Sequence, residues 1–251
     1  MYFIANWKMN PLTKKEAVAI ATSTKKATRG FNRVKVLVAP PAIFIEHFAK
    51  TKSKSVIFGM QNIHEGETGS FTGEISALMA MHMGVQFAIL GHSERRAMGE
   101  RSEDVAKKAL SCLEVGITPV ICVGERTRDE SGHFLKELAL EVRTSLALIP
   151  KTKLKNVILA YEPIWAIGKS DEEALRGNDL FEMVVFLRKT LSEIGDRKIA
   201  DEVSILYGGS VSSSTIEDIA RGGRVNGVLV GRKSMYPDEV KKMLAVLNDI
   251  K

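Results

Sequence analysis

Eight short apolar runs, rich in β-branched residues, recur along the chain: Phe3–Trp7, Val34–Ala39, Val56–Met60, Phe87–Leu90, Pro119–Val123, Val157–Tyr161, Val203–Tyr207 and Gly227–Val230. Runs of this kind bounded by turn residues predict buried strands. After each comes a stretch whose apolar residues repeat at the period of one helix face. Ala17, Ile20, Ala21 and Thr24 form such a stripe, as do Val105, Ala109, Cys112 and Leu113, and then Leu135, Leu138, Val142 and Leu146. Phe181, Val184, Val185, Leu187 and Leu191 make another, and Val240, Met243, Leu244 and Leu247 one near the end.

Strands that alternate with helices favour parallel pairing and right-handed crossovers. Eight such units in 251 residues fit an α/β fold of the (β/α)8 barrel type. The chain reads as one domain over residues 1–251, because no linker, low-complexity tract or repeat divides it. A doubly wound open sheet is the runner-up, but no Gly-x-Gly-x-x-Gly follows the first strand. A barrel carries its chemistry at the carboxyl ends of its strands, and the unusual polar residues of this chain fall there.

On the first strand, alternation puts Phe3, Ala5 and Trp7 on one face and Ile4, Asn6 and Lys8 on the other. If the first set packs against helices, Asn6 and Lys8 point into the barrel mouth. An inward lysine is costly unless it is paired or meets an anion. The plainer reading is a lysine that reaches out to solvent. After the fourth strand comes Gly91-His92-Ser93-Glu94-Arg95-Arg96. Ser93 is expected to cap a helix there, and a helix N-terminus beside His92 keeps the imidazole neutral. A neutral imidazole can donate to a carbonyl and shuttle protons between adjacent oxygens. Glu94 is the expected partner of Lys8. A lone histidine in a turn is more often structural, so this motif alone decides little.

The sixth strand ends in Tyr161-Glu162-Pro163-Ile164-Trp165-Ala166-Ile167-Gly168. Loops are normally polar, so an apolar one directly behind a carboxylate suggests a lid that excludes water and leaves Glu162 a poorly solvated base. A static buried loop with a structural glutamate is the alternative. Glycines after the seventh strand (Tyr207-Gly208-Gly209-Ser210-Val211) and the eighth (Gly231-Arg232-Lys233-Ser234) would let backbone amides approach a phosphate, or would serve tight turns only. Gly-x-x-x-x-Gly-Lys-Ser/Thr is absent, which favours a small phosphorylated metabolite over a nucleotide. A base, a neutral electrophile, a fixed cation, a phosphate grip and an apolar cover together suit proton abstraction beside a carbonyl.

Composition narrows the setting. The hydrophobic share of 45% and the charged share of 26% are ordinary for a globular protein. No apolar run approaches the ~20 residues needed to cross a bilayer. The chain enters Tyr2–Lys8 at once without a basic leader, so export is not expected. Two cysteines, Cys112 and Cys122, suit a reducing compartment and suggest neither a disulfide nor a metal site; a cytoplasmic protein without cofactor or metal is expected. The net charge of +6 invites a nucleic-acid reading. The basic pairs are scattered (Lys14-Lys15, Lys25-Lys26, Lys50 to Lys54, Lys151 to Lys155) and lack interleaved aromatics, which argues against it. A positive field still steers a small anion.

Five motifs now stand in order: Asn6-Trp7-Lys8-Met9-Asn10, Gly69-Ser70-Phe71-Thr72-Gly73-Glu74, Gly91–Arg96, Tyr161–Gly168 and Tyr207–Val211. Through them the chain resembles the triosephosphate isomerase family from end to end, which implies the TIM barrel. The resemblance implies that Glu162 moves a proton between C1 and C2, and that His92 polarises the carbonyl. Lys8 and Asn6 would hold the substrate, and the amides of Gly168, Ser210, Gly231 and Arg232 its phosphate. The substrates would be dihydroxyacetone phosphate and glyceraldehyde 3-phosphate. A homodimer is implied, in which residues 61–75 place Thr72 near Asn6 of the partner subunit and Lys8 of the partner subunit. Met79, Met81 and Met83 are expected in the core rather than at an interface. A sugar-phosphate-binding barrel without catalysis is the alternative from another class.

The chain departs from the family in three places. Gly231-Arg232-Lys233-Ser234 stands where Gly-Gly-Ala-Ser is usual, and any positive φ at Arg232 would be costly. The far hinge of the lid reads Lys169-Ser170-Asp171 instead of Thr-Gly-Lys. The stretch after Arg96 is one residue short, which leaves Glu100 without a role.

Overall fold

Alternation along the first strand sets the geometry of the whole molecule. In β1 (Tyr2–Asn6), Ile4 and Asn6 face inward, while Phe3, Ala5 and the following Trp7 are buried in the outer layer beneath the helices. The computed structural model describes residues 1–49, 55–168, 175 and 177–250. Among them are seven further strands: β2 (Lys35–Ala39), β3 (Ile57–Phe58), β4 (Phe87–Leu90), β5 (Thr118–Val123), β6 (Ile158–Tyr161), β7 (Ser204–Tyr207) and β8 (Gly227–Val230). All pair in parallel, in the order β3-β2-β1-β8-β7-β6-β5-β4. The ring closes between β3 and β4 through Met60, whose N–H donates to Phe87 O at 3.0 Å and whose carbonyl accepts Ile89 N–H at 2.9 Å. This is the (β/α)8 barrel expected from the sequence.

Two apolar layers hold it. Ile4, Leu37, Phe87, Ile89, Val120 and Leu206 fill the barrel interior. The larger outer layer lies between strands and helices, where the Trp7 ring meets Phe48 edge-on and Phe48 stacks on Phe58. Each fully buried side chain of this size contributes roughly 1.5–3 kcal/mol. The expected helical stripes are the inward faces: Val105, Ala109 and Cys112 in the helix Ser102–Glu114, and all of Val240, Met243, Leu244 and Leu247 in the helix Pro237–Asp249.

The helices are α1 (Lys14–Ala27), α2 (Ile45–Ala49), α3 (Ala77–His82), α4 (Ser93–Ala97), α5 (Ser102–Glu114), α6 (His133–Leu146), α7 (Gly177–Ile194), α8 (Arg197–Glu202) and α9 (Pro237–Asp249). α1 begins where it does because Thr13 and Glu16 form a capping box, with Thr13 Oγ1 accepting Glu16 N–H at 3.2 Å. None of the described helices is long and apolar enough to cross a membrane.

Three units differ from the expected regular alternation. After β2 and β3 the helices among the described residues are the short α2 and α3, the second preceded by a loop over residues 61–76. After β7 the chain makes one π turn, Asp218–Gly222. That turn is spent on capping α7: Asp218 accepts Gly177 N–H at 2.8 Å, and a Cβ on Gly222 would lie 3.0 Å from Gly177 Cα. The methionine expectation is corrected. Met79 is 55% exposed, Met83 is half-buried, and only Met81 packs partly on the core. The short α3 turns Ala77 and Ala80 inward, which leaves Met79 on the opposite face.

Candidate active site

Glu162 stands one residue past β6, its N–H bonded to Val123 O at 2.7 Å. Its carboxylate is buried at 2% exposure. One oxygen, Oε2, accepts the Ser93 N–H at 3.2 Å. The other, Oε1, has no hydrogen-bond partner among the described residues and lies 3.4 Å from His92 Nε2. Two glycines admit the side chain. A Cβ on Gly208 would sit 2.6 Å from Glu162 Cγ, and one on Gly124 would sit 2.0 Å from its carbonyl oxygen.

His92, also buried, is the N-cap of α4: its Nδ1 accepts Glu94 N–H at 3.2 Å. The expectation that Ser93 caps this helix is therefore corrected. Serine is the commoner cap, but an imidazole nitrogen accepts an amide proton equally well. Ser93 supports the site through its backbone N–H instead. A neutral ring that accepts at Nδ1 carries its proton on Nε2, the atom facing Glu162.

Lys8 adopts φ 52, rare for a side-chain-bearing residue. Its backbone is held at both ends: Asn6 Oδ1 accepts its N–H at 3.0 Å, and Gln61 Nε2 donates to its carbonyl at 2.8 Å. The ammonium bonds Glu94 Oε1 at 2.7 Å, as expected. Both partners are partly exposed, so the pair is worth well under ~1 kcal/mol and can be exchanged for another anion.

Asn6, Lys8, His92, Glu94, Glu162, Gly168, Ser210, Gly231 and Arg232 all line one cavity of about 840 Å³. The structure thus brings together all but two of the residues singled out in the sequence. Ser93 lies against Glu162 through its amide, and Thr72 is exposed on the projecting loop, away from this cavity. The glycines after β7 answer to close contacts rather than to turn geometry. Among the described residues neither Gly208 nor Gly209 has a positive φ, and a Cβ on Gly209 would lie 2.2 Å from the Tyr207 hydroxyl. Arg232 likewise keeps an ordinary φ, so the strain feared there does not arise.

The root of the apolar loop is anchored on Glu125, a buried residue that sequence reasoning missed. Its carboxylate accepts Tyr161 Oη–H at 2.8 Å, Trp165 Nε1–H at 2.9 Å and Arg128 Nε–H at 2.9 Å, while the Arg128 guanidinium lies 4.8 Å from the Trp165 ring centroid. Ser210 Oγ donates to Ala166 O at 3.1 Å, tying this loop to the one after β7. The hinge Lys169-Ser170-Asp171 lies outside the described residues, as do Lys50 to Lys54.

The roles of four more residues escaped the sequence: Gln61, which holds the Lys8 carbonyl, and Arg96, Glu100 and Lys108. Arg96 Nε donates to Gly91 O at 2.8 Å, and Glu100 Oε2 accepts Gly91 N–H at 3.1 Å. Together they fix the peptide just before His92, which gives Glu100 its role. Lys108 neutralises Glu100 in the interior and also bonds Asn62. Only the short spacing from Glu100 to His92 could have hinted at this.

The sequence matches the family described as Triosephosphate isomerase over residues 1–247. A curated relative, the triosephosphate isomerase of Natranaerobius thermophilus, is 36% identical over 245 residues, which span 96% of this chain and 93% of that protein. A match of this extent, on a barrel whose strand ends carry these residues, leaves one conclusion: the chain belongs to the triosephosphate isomerase family.

Proposed function

We propose that this isomerase interconverts dihydroxyacetone phosphate and D-glyceraldehyde 3-phosphate through an enediolate, without cofactor or metal. The observation that carries the reading is the facing pair Glu162 Oε1 and His92 Nε2, 3.4 Å apart in the same cavity as Lys8. Glu162 removes the proton on one substrate carbon and returns it to the next. A carboxylate oxygen with no hydrogen-bond partner suits that task, since that oxygen itself has no donor to give up. His92 donates its Nε2 proton to the carbonyl oxygen, and the Lys8 ammonium balances the charge that develops. A substrate carbon has no room between groups 3.4 Å apart. The carboxylate therefore leaves Ser93 and swings when substrate enters, and Lys8 exchanges Glu94 for the substrate.

The phosphate falls to the backbone amides around Gly168, Ser210, Gly231 and Arg232, which line the same cavity. The loop carrying Ile164, Trp165 and Ile167 closes over it and excludes water, which strengthens each of these electrostatic contacts. A coupled assay started from glyceraldehyde 3-phosphate tests the reading. Turnover well above about one per second is expected. Correctly folded protein that binds the sugar phosphate but does not turn it over would favour the non-catalytic barrel.

The working unit is a homodimer in the cytoplasm, serving glycolysis and gluconeogenesis. Met9, Ile43, Phe71, Met79 and Met98 are exposed apolar residues, and a second cavity of about 370 Å³ opens beside Asn6, Lys8, Gln61 and Met98. The projecting loop is stiffened for insertion: Phe71 packs on His64 at 4.1 Å between ring centroids, and His64 N–H bonds Ile75 O at 2.8 Å. Thr72 of one protomer would fill the second cavity of the other. Thr72→Arg is expected to shift the protein to monomer on size exclusion and to lower kcat with it. A monomeric, fully active wild type would overturn the arrangement.

A further inference from the structure

The side chain of Arg232 has no counterpart in a phosphate grip built of small residues. β8 ends at Val230, and Gly231 then turns beneath Lys8, whose Cε would lie 3.3 Å from a Cβ at that position. A side chain at 231 would crowd the ammonium. The next position, 232, is thus the first after β8 that can bring a side chain to the cavity without disturbing Lys8. Arg232 occupies it without backbone strain, at the start of the single 3-10 turn Arg232–Met235.

Arg232 is exposed and lines the same cavity as Lys8, Ser210 and Glu162, and its guanidinium has no ion-pair or hydrogen-bond partner among the described residues. Three acidic groups on this side of the molecule have partners of their own. Glu94 holds Lys8, Glu16 caps α1, and Glu239 accepts the Ser213 N–H and hydroxyl and feels the charge of Lys233.

We infer that the Arg232 guanidinium is a specificity-determining ligand for the substrate's phosphate, acting through its side chain beyond the backbone amide at the same position. Its planar pair of N–H donors matches two phosphate oxygens at once, a geometry that a lysine ammonium cannot copy. It selects doubly charged phosphate esters over singly charged or neutral sugars. Because the group is exposed, its contribution is modest and weakens with salt. The inference deepens the isomerase reading and rests on it for the identity of the substrate.

Calorimetric titration with inorganic phosphate tests it without requiring turnover, on the wild type, Arg232→Ala, Arg232→Lys and Lys233→Ala, at low and at high potassium chloride. Arg232→Ala is expected to weaken phosphate binding by about tenfold at low salt and by much less at high salt. Arg232→Lys should recover part of the loss, and Lys233→Ala should stay within about twofold of wild type. KM for glyceraldehyde 3-phosphate should rise by the same factor as the phosphate Kd while kcat holds, a split that a merely structural residue would not produce. Unchanged phosphate affinity in Arg232→Ala, an equal loss in Lys233→Ala, or no phosphate binding by the wild type would each overturn the inference. If the wild type binds phosphate but turns over neither triose phosphate, the isomerase reading fails, and the binding series still decides the role of Arg232.

Discussion

Glu162 meets His92 at 3.4 Å through one carboxylate oxygen while Ser93 holds the other through its amide. The proposed base is thus held against the element that carries the proposed electrophile. Glu162→Asp pulls the carboxylate back by roughly an ångström and is expected to lower kcat about a hundredfold with little loss of ligand affinity. His92→Gln keeps a hydrogen-bond donor of similar reach but loses the ring that can give up and regain a proton, and should lower kcat by about 10²–10⁴. Steady-state kinetics on both variants, with inhibitor constants measured alongside, would detect either failure. Unchanged kcat in one of them would move its chemical role to another residue.

Gly208 is tested separately, because it touches no reacting atom. Gly208→Ala would place a methyl 2.6 Å from Glu162 Cγ and push the carboxylate off Ser93. A large fall in kcat is expected, with overpacking costing about 1–3 kcal/mol of stability. Normal kcat in this variant would mean that the parked position of Glu162 does not matter for catalysis.

The loop root offers a distinct readout. Trp165→Phe keeps the aromatic surface under Arg128 but loses the N–H that Glu125 accepts at 2.9 Å. A hydrogen bond to a charged acceptor is worth about 1.5–3 kcal/mol, so denaturant unfolding should show a loss of that order. If this loop closes as proposed, KM and kcat should change together, since it then starts from a looser base. If stability falls while both kinetic constants stay put, the Glu125 cluster serves folding only.

Both cysteines are buried and free. Burial pushes the Cys112 thiol up, and burial with the Glu162 carboxylate beside it pushes Cys122 up as well. Ellman's reagent at mildly alkaline pH should label neither thiol in native protein and both after denaturation. The sign for stability follows. Their folded pKa values exceed the unfolded value of about 8.5, so the contribution is complete below that pH and is lost as pH rises above it. Burial of Tyr207, which pushes its hydroxyl to about 12, extends the loss to pH above ~10. Stability that rises between pH 8 and 10 would contradict this.

Much of this was legible in the sequence, for reasons that particular residues make clear. The alternation Phe3, Ala5, Trp7 against Ile4, Asn6, Lys8 needs only the strand period, and both faces fell where it put them. Glu162, His92 and Lys8 converge because a barrel brings strand ends together whatever their separation in sequence. What stayed hidden depends on contacts no local pattern encodes. Gln61 acts on Lys8 across 53 positions, and Tyr161 reaches Glu125 across 36. Ser93 misled because the usual cap preference says nothing of an imidazole standing one residue earlier. Met79 misled because apolar character alone does not separate a core from a surface awaiting a partner.

The proton path itself can be followed directly. Dihydroxyacetone phosphate is converted in deuterium oxide, and carbon-bound deuterium in the glyceraldehyde 3-phosphate formed is read by NMR, for the wild type and for Glu162→Gln. Abstraction and return through a carboxylate that exchanges with solvent should leave deuterium on C2 in part of the wild-type product, and Glu162→Gln should form product at least about a thousandfold more slowly. A Glu162→Gln variant as fast as wild type would contradict proton transfer through Glu162, whatever the deuterium content of the product.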